Sequence, residues 1–333
     1  MARPPVGAAR AVPTFTGDVP GGELGTTLIH EHVFVGHPEL DLNFPHPEWD
    51  EEEAVERAVA GLERLHGLGV RTVVDLTVPG LGRDVGRVRR VAERSPVRLV
   101  ASTGYYTADA LPQFFVTHRP GGLVGGDDPL VEFFLRDIQE GIAGTGVRAG
   151  MLKVFSDARG ITPDARRVFE AAAVAHAETG VPITTHSDAS VRGGADQQRL
   201  LSELGVPADR IVIGHAGDSS DLDHLSALAD EGSYLGFDRF GMAHVGSDEQ
   251  RIATLLSMLD RGYADSILLS HDAAFFSRIT PPSWRAASAP EWEMTHLHTR
   301  VLPGLRARGV DDATIDTLMI DNPRRVLAGE RIG

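Results

Sequence analysis

Apolar residues in this chain come in short continuous runs rather than in alternation. Eight of them read as strands: TTLIHEHVFV (26–35), RTVVDLT (71–77), VRLVAST (97–103), GMLKVF (150–155), VPITTHS (181–187), RIVIGHA (210–216), SYLGFD (233–238) and SILLSHD (266–272). Continuous runs of this length suit parallel strands covered on both faces. Between them lie stretches of helical character rich in Ala, Leu and Arg. DEEEAVERAVAGLERLHGLGV opens on acidic residues, which a helix N-terminus favours, and stops at glycine. TPDARRVFEAAAVAHAETGVP sets Thr, Pro and Gly where an N-cap, a first turn and a helix stop want them. DSSDLDHLSALADEGS and SDEQRIATLLSMLDRGYAD behave alike. Eight β/α units predict a single (β/α)8 barrel of the α/β class, with a doubly wound sheet as the other architecture this alternation permits.

No shift in composition marks a domain boundary. We read residues 1–25 as an N-terminal extension and 26–333 as one TIM barrel, a fold that needs about 250 residues. A long loop follows strand 8 at 273–292; its two Phe, two Trp and three Pro suit an ordered lid. The net charge of −15 argues against nucleic acid or anionic lipid as a partner. The basic run RDVGRVRRVAERSPVR (83–98) therefore reads as a solvated helix face. Cysteine is absent, which removes disulfides, thiol nucleophiles and cysteine-held zinc together and suits a reducing compartment. No stretch approaches the roughly 18 apolar residues of a membrane span, and residues 1–22 lack the apolar core of a secretory signal. The expectation is a cytoplasmic chain with no membrane partner.

Chemistry concentrates at strand ends. In HEH, residues two apart on a strand share a side, so His30 and His32 converge if the segment is extended. Taken alone, the pair reads equally well as two satisfied core histidines. HLH at His296 and His298 provides a contrast: it lies in helix-like sequence, where a two-residue step turns side chains by about 200°. His186 and His215 close strands 5 and 6, and Asp272 closes strand 8. Barrel enzymes build their sites at these strand ends. A catalytic zinc usually takes three protein ligands, so four His and one Asp suggest two metal ions about 3.5–4 Å apart. Imidazole with carboxylate suits Zn, Fe, Co or Mn.

Lys153 is the one lysine among thirty-two basic residues, and it sits inside the strand-4 run. Arginine keeps its proton, whereas a buried lysine can lose one and act as a nucleophile. A neutral Lys153 amine that takes up CO2 becomes an anion able to bridge two cations; a snorkelling or ion-paired lysine is the plainer alternative. No G-x-S-x-G signals a serine nucleophile.

TTLIHEH, AGMLKVFSD, VPITTHS, IVIGHAGDSSDL, GSYLGFDRFG, LLSHD and IDNPRRVL, in this order from about residue 24 to the end, resemble the phosphotriesterase family of the amidohydrolase superfamily, including its phosphotriesterase-like lactonases. The resemblance implies a homodimeric (β/α)8 barrel carrying two divalent ions bridged by a carboxylated lysine and a hydroxide. It makes His30, His32 and Asp272 ligands of the more buried ion and His186 and His215 ligands of the more exposed one, with carboxylated Lys153 as the bridge. Asp272 would also take the nucleophile's proton. Tyr106 and Arg239 match lactonase positions that meet substrate; packing, for Tyr106, and an ion pair with Asp238, for Arg239, are the alternatives. After FDRFG the segment MAHVGSDEQ is short and polar, which predicts a missing wall in any acyl-chain channel. The implied activity is lactone hydrolysis with phosphotriester hydrolysis as a side activity. Hydrolysis of other carboxylic esters, amides or organophosphates is the alternative, and a non-catalytic metal-binding barrel is the reading from another class.

Overall fold

In a computed structural model of the chain, residues 10–107 and 110–329 are described; the first nine residues of the expected extension and 330–333 lie outside them. Eleven strands occur among the described residues: β1 (Val12–Thr14), β2 (Gly17–Val19), β3 (Thr27–Val35), β4 (Thr72–Asp75), β5 (Arg98–Gly104), β6 (Ala149–Phe155), β7 (Ile183–His186), β8 (Ile211–Ile213), β9 (Tyr234–Phe237), β10 (Ile267–Leu269) and β11 (Ala274–Ser277). Each of the eight sequence runs overlaps one of β3–β10, with β5 and β6 each extending one residue beyond its run. Strands β3 to β10 pair in parallel in chain order, and β11 pairs in parallel with β3. The sheet thus returns on itself, with Asp272 N donating to His30 O (3.0 Å) and His32 N to Ala273 O (2.8 Å). The architecture is a (β/α)8 TIM barrel, not a doubly wound sheet.

Two apolar layers hold it. Inside the barrel, Ile29, Val74, Val100, Met151, Val212, Tyr234 and Leu268 meet in one cluster. Leu28, Val73, Leu99, Leu152, Ile183 and Ile213 face the other way, onto the helices. The alternation is what strand geometry demands, and covering both faces explains why the runs are continuous. The β1–β2 hairpin and Leu24 lie across the bottom of the inner cluster: Phe15 N donates to Leu99 O (2.9 Å), Thr72 Oγ1 to Leu24 O (2.7 Å), and Arg10 N to Ala328 O (2.8 Å). Residues 10–25 are therefore packed as a plug.

Helix boundaries follow their punctuation. Asp50 Oδ1 accepts from Glu53 N at the head of helix Glu51–Gly67, and Thr162 Oγ1 accepts from Ala165 N at the head of Pro163–Thr179. The second helix ends at Gly180, whose φ of 72° is left-handed. The basic run lies on a solvent-facing helix side, as expected, with its arginines paired across to the preceding helix. Arg87 and Arg90 pair with Glu51 (3.0 and 2.7 Å), Arg90 with Glu52 (2.6 Å) and Arg94 with Glu56 (2.7 Å). The acidic start of one helix thus neutralises its neighbour. Residues 273–292 are not one loop, contrary to expectation: β11 completes the barrel wall, and a helix spans Pro282–Ser288.

Gly104 ends β5 against Lys153, with φ of +133°, and a Cβ there would sit 1.9 Å from Lys153 O. Gly104→Ala is expected to cost about 3 kcal/mol or more, read as a lowered urea midpoint, because strained backbone and overpacking act together.

Candidate metal centre

A register shift between Leu28 and Glu31 against β4 sets both His30 and His32 toward the barrel mouth. Lys153 projects inward from β6 two residues after inward-facing Met151, and is 1% exposed. His186 is the last residue of β7. His215 and Asp272 lie just beyond β8 and β10 in left-handed conformations (φ 61° and 53°), which turn their side chains over the mouth. His30, His32, Lys153, His186 and Asp272 line one cavity of about 250 Å³, and His215 lies buried directly behind its wall, with Nε2 2.8 Å from His186 Nδ1.

The hydrogen bonds around the imidazoles set their tautomers. Asp238, 2% exposed, accepts from His30 Nδ1 through Oδ2 (2.7 Å) and from His215 Nδ1 through Oδ1 (2.9 Å). Thr77 Oγ1 donates to Asp75 Oδ1 (2.6 Å) and so accepts from His32 Nδ1 (2.9 Å). The Nε2 lone pairs of all three rings therefore point inward. There, His30 Nε2 and His32 Nε2 lie 3.4 and 3.1 Å from Asp272 Oδ1, acceptor against acceptor. His215 Nε2 lies 2.8 Å from His186 Nδ1 and 3.9 Å from Asp272 Oδ2. Converging acceptors suit cations, and outer carboxylates that orient imidazoles are the usual support of such ligands. Burial lowers the His30 imidazole to about 3, with Lys153 adding to the effect, and depresses His186 and His215 as well, so these rings stay uncharged and able to ligate. His30, His215 and Asp238 also form a compact acidic-histidine group, but there the Nδ1 hydrogens already fill the Asp238 oxygens.

Lys153 Nζ lies 3.2 Å from His30 Nε2 and donates to Thr185 O (3.3 Å); among the described residues it has no carboxylate in ion-pair contact. Burial lowers its ammonium to about 8. Arg239 does not pair with Asp238, whose oxygens are committed to histidines; it meets Asp218 Oδ2 (2.9 Å) and Asp272 Oδ2 (3.4 Å). Tyr106 packs on Phe155 (4.2 Å between ring centres) and edges His186 (5.4 Å). Its hydroxyl makes no hydrogen bond among the described residues, and burial pushes that phenol upward. The wall that MAHVGSDEQ was expected to lack is present: Met242, His244 and Val245 line the cavity opposite Leu81 and Val35, with Trp292 beside them. His296 and His298 stay away; His296 Nε2 bonds Asp248 Oδ2 (2.6 Å).

The Phosphotriesterase family model matches residues 10–327. The chain belongs to the phosphotriesterase family. A "Phosphotriesterase homology protein" of Mycobacterium tuberculosis (strain CDC 1551 / Oshkosh) is 43% identical over 313 residues, covering 94% of this chain and 96% of the relative. A solved structure of the phosphotriesterase from Mycobacterium tuberculosis superposes with a TM-score of 0.93 at 42% identity, over 95% of this chain and 98% of that one. A second, solved for the molecular engineering of organophosphate hydrolysis activity from a weak promiscuous lactonase template, gives a TM-score of 0.86 at 32% identity, over 95% and 99%. This phosphotriesterase-family chain is a metal-dependent hydrolase of ester or phosphoester bonds acting on small molecules.

Sequence reasoning passed over the residues behind the ligand candidates: Asp238 as an orienter, Thr77 with Asp75, Asp218, and the buried Glu31 and His271. Their common signal was a polar residue inside an apolar strand run or, for Asp218, two residues after one. For this phosphotriesterase-family site, Asp238→Asn is expected to weaken metal affinity about 10–100-fold in a chelator competition, since one amide cannot accept from both Nδ1 hydrogens. His298→Ala, outside the cavity, is the control, with affinity and turnover within about twofold of wild type.

Proposed function

We propose that the chain is a lactonase that also hydrolyses phosphotriesters slowly. His30, His32 and Asp272 would hold one divalent ion, zinc or one of Fe, Co and Mn, and His186 and His215 a second. Lys153 as its carbamate would bridge them. At neutral pH an ammonium lowered to about 8 leaves about a tenth of Lys153 as free amine. That amine attacks CO2 at carbon and releases one proton, giving an anionic carbamate. The ions, when bound, supply a nucleophile ionised at neutral pH and draw electron density from the ester carbonyl or phosphoryl group.

The chain's own residues do the rest. Asp272 Oδ2 accepts the nucleophile's proton and passes it outward, and Arg239 stabilises the carboxylate that is regenerated. The free Tyr106 hydroxyl donates to the substrate's oxygen. Val35, Leu81, Met242, Val245 and Trp292 seat an apolar acyl part and keep bulk water from it. The observation that carries the proposal is the set of inward-facing acceptors beneath an apolar-walled cavity. The promiscuous lactonase template behind a related organophosphate hydrolase supports the pairing of activities.

Steady-state rates on a panel of lactones, aryl esters and paraoxon-like triesters test it. Lactones are expected to lead in kcat/KM; no turnover of any lactone would overturn the lactonase reading and leave the other-ester alternative. A cytoplasmic homodimer is the assembly we propose. The exposed Leu42, Phe44 and Ile279 supply apolar surface for a partner copy, and sedimentation velocity checks it.

A further inference from the structure

Glu31 separates His30 from His32 and points away from the mouth. It is completely buried, as is His271. A buried carboxylate is costly unless every lone pair is used, and here four donors reach it. Oε1 accepts from Ser270 Oγ (2.8 Å), His271 N (3.0 Å) and His271 Nδ1 (2.6 Å); Oε2 accepts from Ala273 N (3.0 Å). The two backbone N–H groups it takes are those on either side of Asp272. The N–H between them goes to His30 O (3.0 Å). The strand run SILLSHD accordingly leaves its ladder after Leu269, and residue 272 takes a φ of 53°, which an L-residue other than Asn, Asp or Gly adopts at a cost.

We propose that Glu31 is a positioning residue: its carboxylate straddles Asp272, holds that backbone in the left-handed conformation and so sets the Asp272 side chain against His30 and His32. Because both histidines flank Glu31 on one strand, a single side chain sets the relative placement of three groups. His271 extends the grip, accepting from Leu297 N through Nε2 (2.9 Å) and from Trp292 Nε1 through its carbonyl (2.9 Å), which ties the cavity's Trp292 to the same clamp. The inference rests on the proposed grouping of His30, His32 and Asp272 around one ion.

The test uses full-length protein reconstituted with Co(II). Glu31→Gln keeps the shape but turns one acceptor oxygen into a donor that must face either the 271 or the 273 N–H. The expected result is a changed Co(II) absorption spectrum, metal affinity lowered about 10–100-fold by chelator competition, and kcat lowered with KM within about threefold. Glu31→Asp, too short to reach both N–H groups, should do the same and serves if the first variant does not fold. Leu62→Ala, in the helix layer, gives the effect of lost stability alone, and Asp272→Ala that of losing the positioned group. If Glu31→Gln and Glu31→Asp only lower Tm, as Leu62→Ala does, while Asp272→Ala alters spectrum and affinity, the clamp is refuted. If Asp272→Ala alters neither, the grouping around one ion is what fails.

Discussion

Lys153→Arg is expected to lower kcat on the best substrate on the order of a thousandfold or more while the barrel stays folded. Arginine does not surrender its proton, so it can neither react with CO2 nor supply a bridging anion. It also fixes a positive charge where Lys153 Nζ now lies 3.2 Å from His30 Nε2, among atoms aimed at cations. Metal analysis after reconstitution should accordingly fall below two ions per chain. Folding should survive because residue 153 borders the cavity, which gives the longer side chain room above the strand. The remaining cost is overpacking, about 1–3 kcal/mol, visible as a lowered Tm. Wild-type turnover from Lys153→Arg would refute the bridge.

That residue also shows how far sequence alone reached. A solitary lysine in an arginine-using chain was visible without a structure, as were the strand-end histidines, because period-two geometry ties a strand's facing to its sequence. The supports of the site were not visible in this way. Asp238 lies 208 positions from His30, and Glu31 lies 240 from His271; only barrel closure brings them together. Two local runs hid their context for a related reason. RDVGRVRRVAER does lie on a solvated face, but its counter-charges, Glu51, Glu52 and Glu56, sit on the preceding helix, 36 to 39 positions away. MAHVGSDEQ looked too polar for a wall, yet Gly241 N bonds Asp248 (2.9 Å) and turns Met242 and Val245 toward the cavity. Local pattern specified elements and facing, whereas the choice of partner depended on closure of the sheet.

Asp272→Asn should lower kcat by about 10²–10⁴, the usual worth of a positioned acid–base group, with KM nearly unchanged. The substitution is informative because it spares the backbone. Residue 272 has φ of 53°, a region that Asn tolerates better than almost any other side chain, so the kink after β10 persists. What changes is chemistry at two atoms. Oδ1, 3.1 Å from His32 Nε2 and 3.4 Å from His30 Nε2, is one of three acceptors facing one point. Oδ2, 3.4 Å from Arg239 Nε, is the proposed proton acceptor. An amide can keep one oxygen but has no basic site for a proton, and it leaves Arg239 with Asp218 as its remaining carboxylate partner. Binding should persist because the apolar walls belong to Leu81, Met242, Val245 and Trp292, none of which depends on the charge at 272. The check is kcat and KM measured separately at matched metal content. A kcat within about threefold of wild type would remove Asp272 from proton transfer, and a KM raised as far as kcat falls would place it in substrate binding instead.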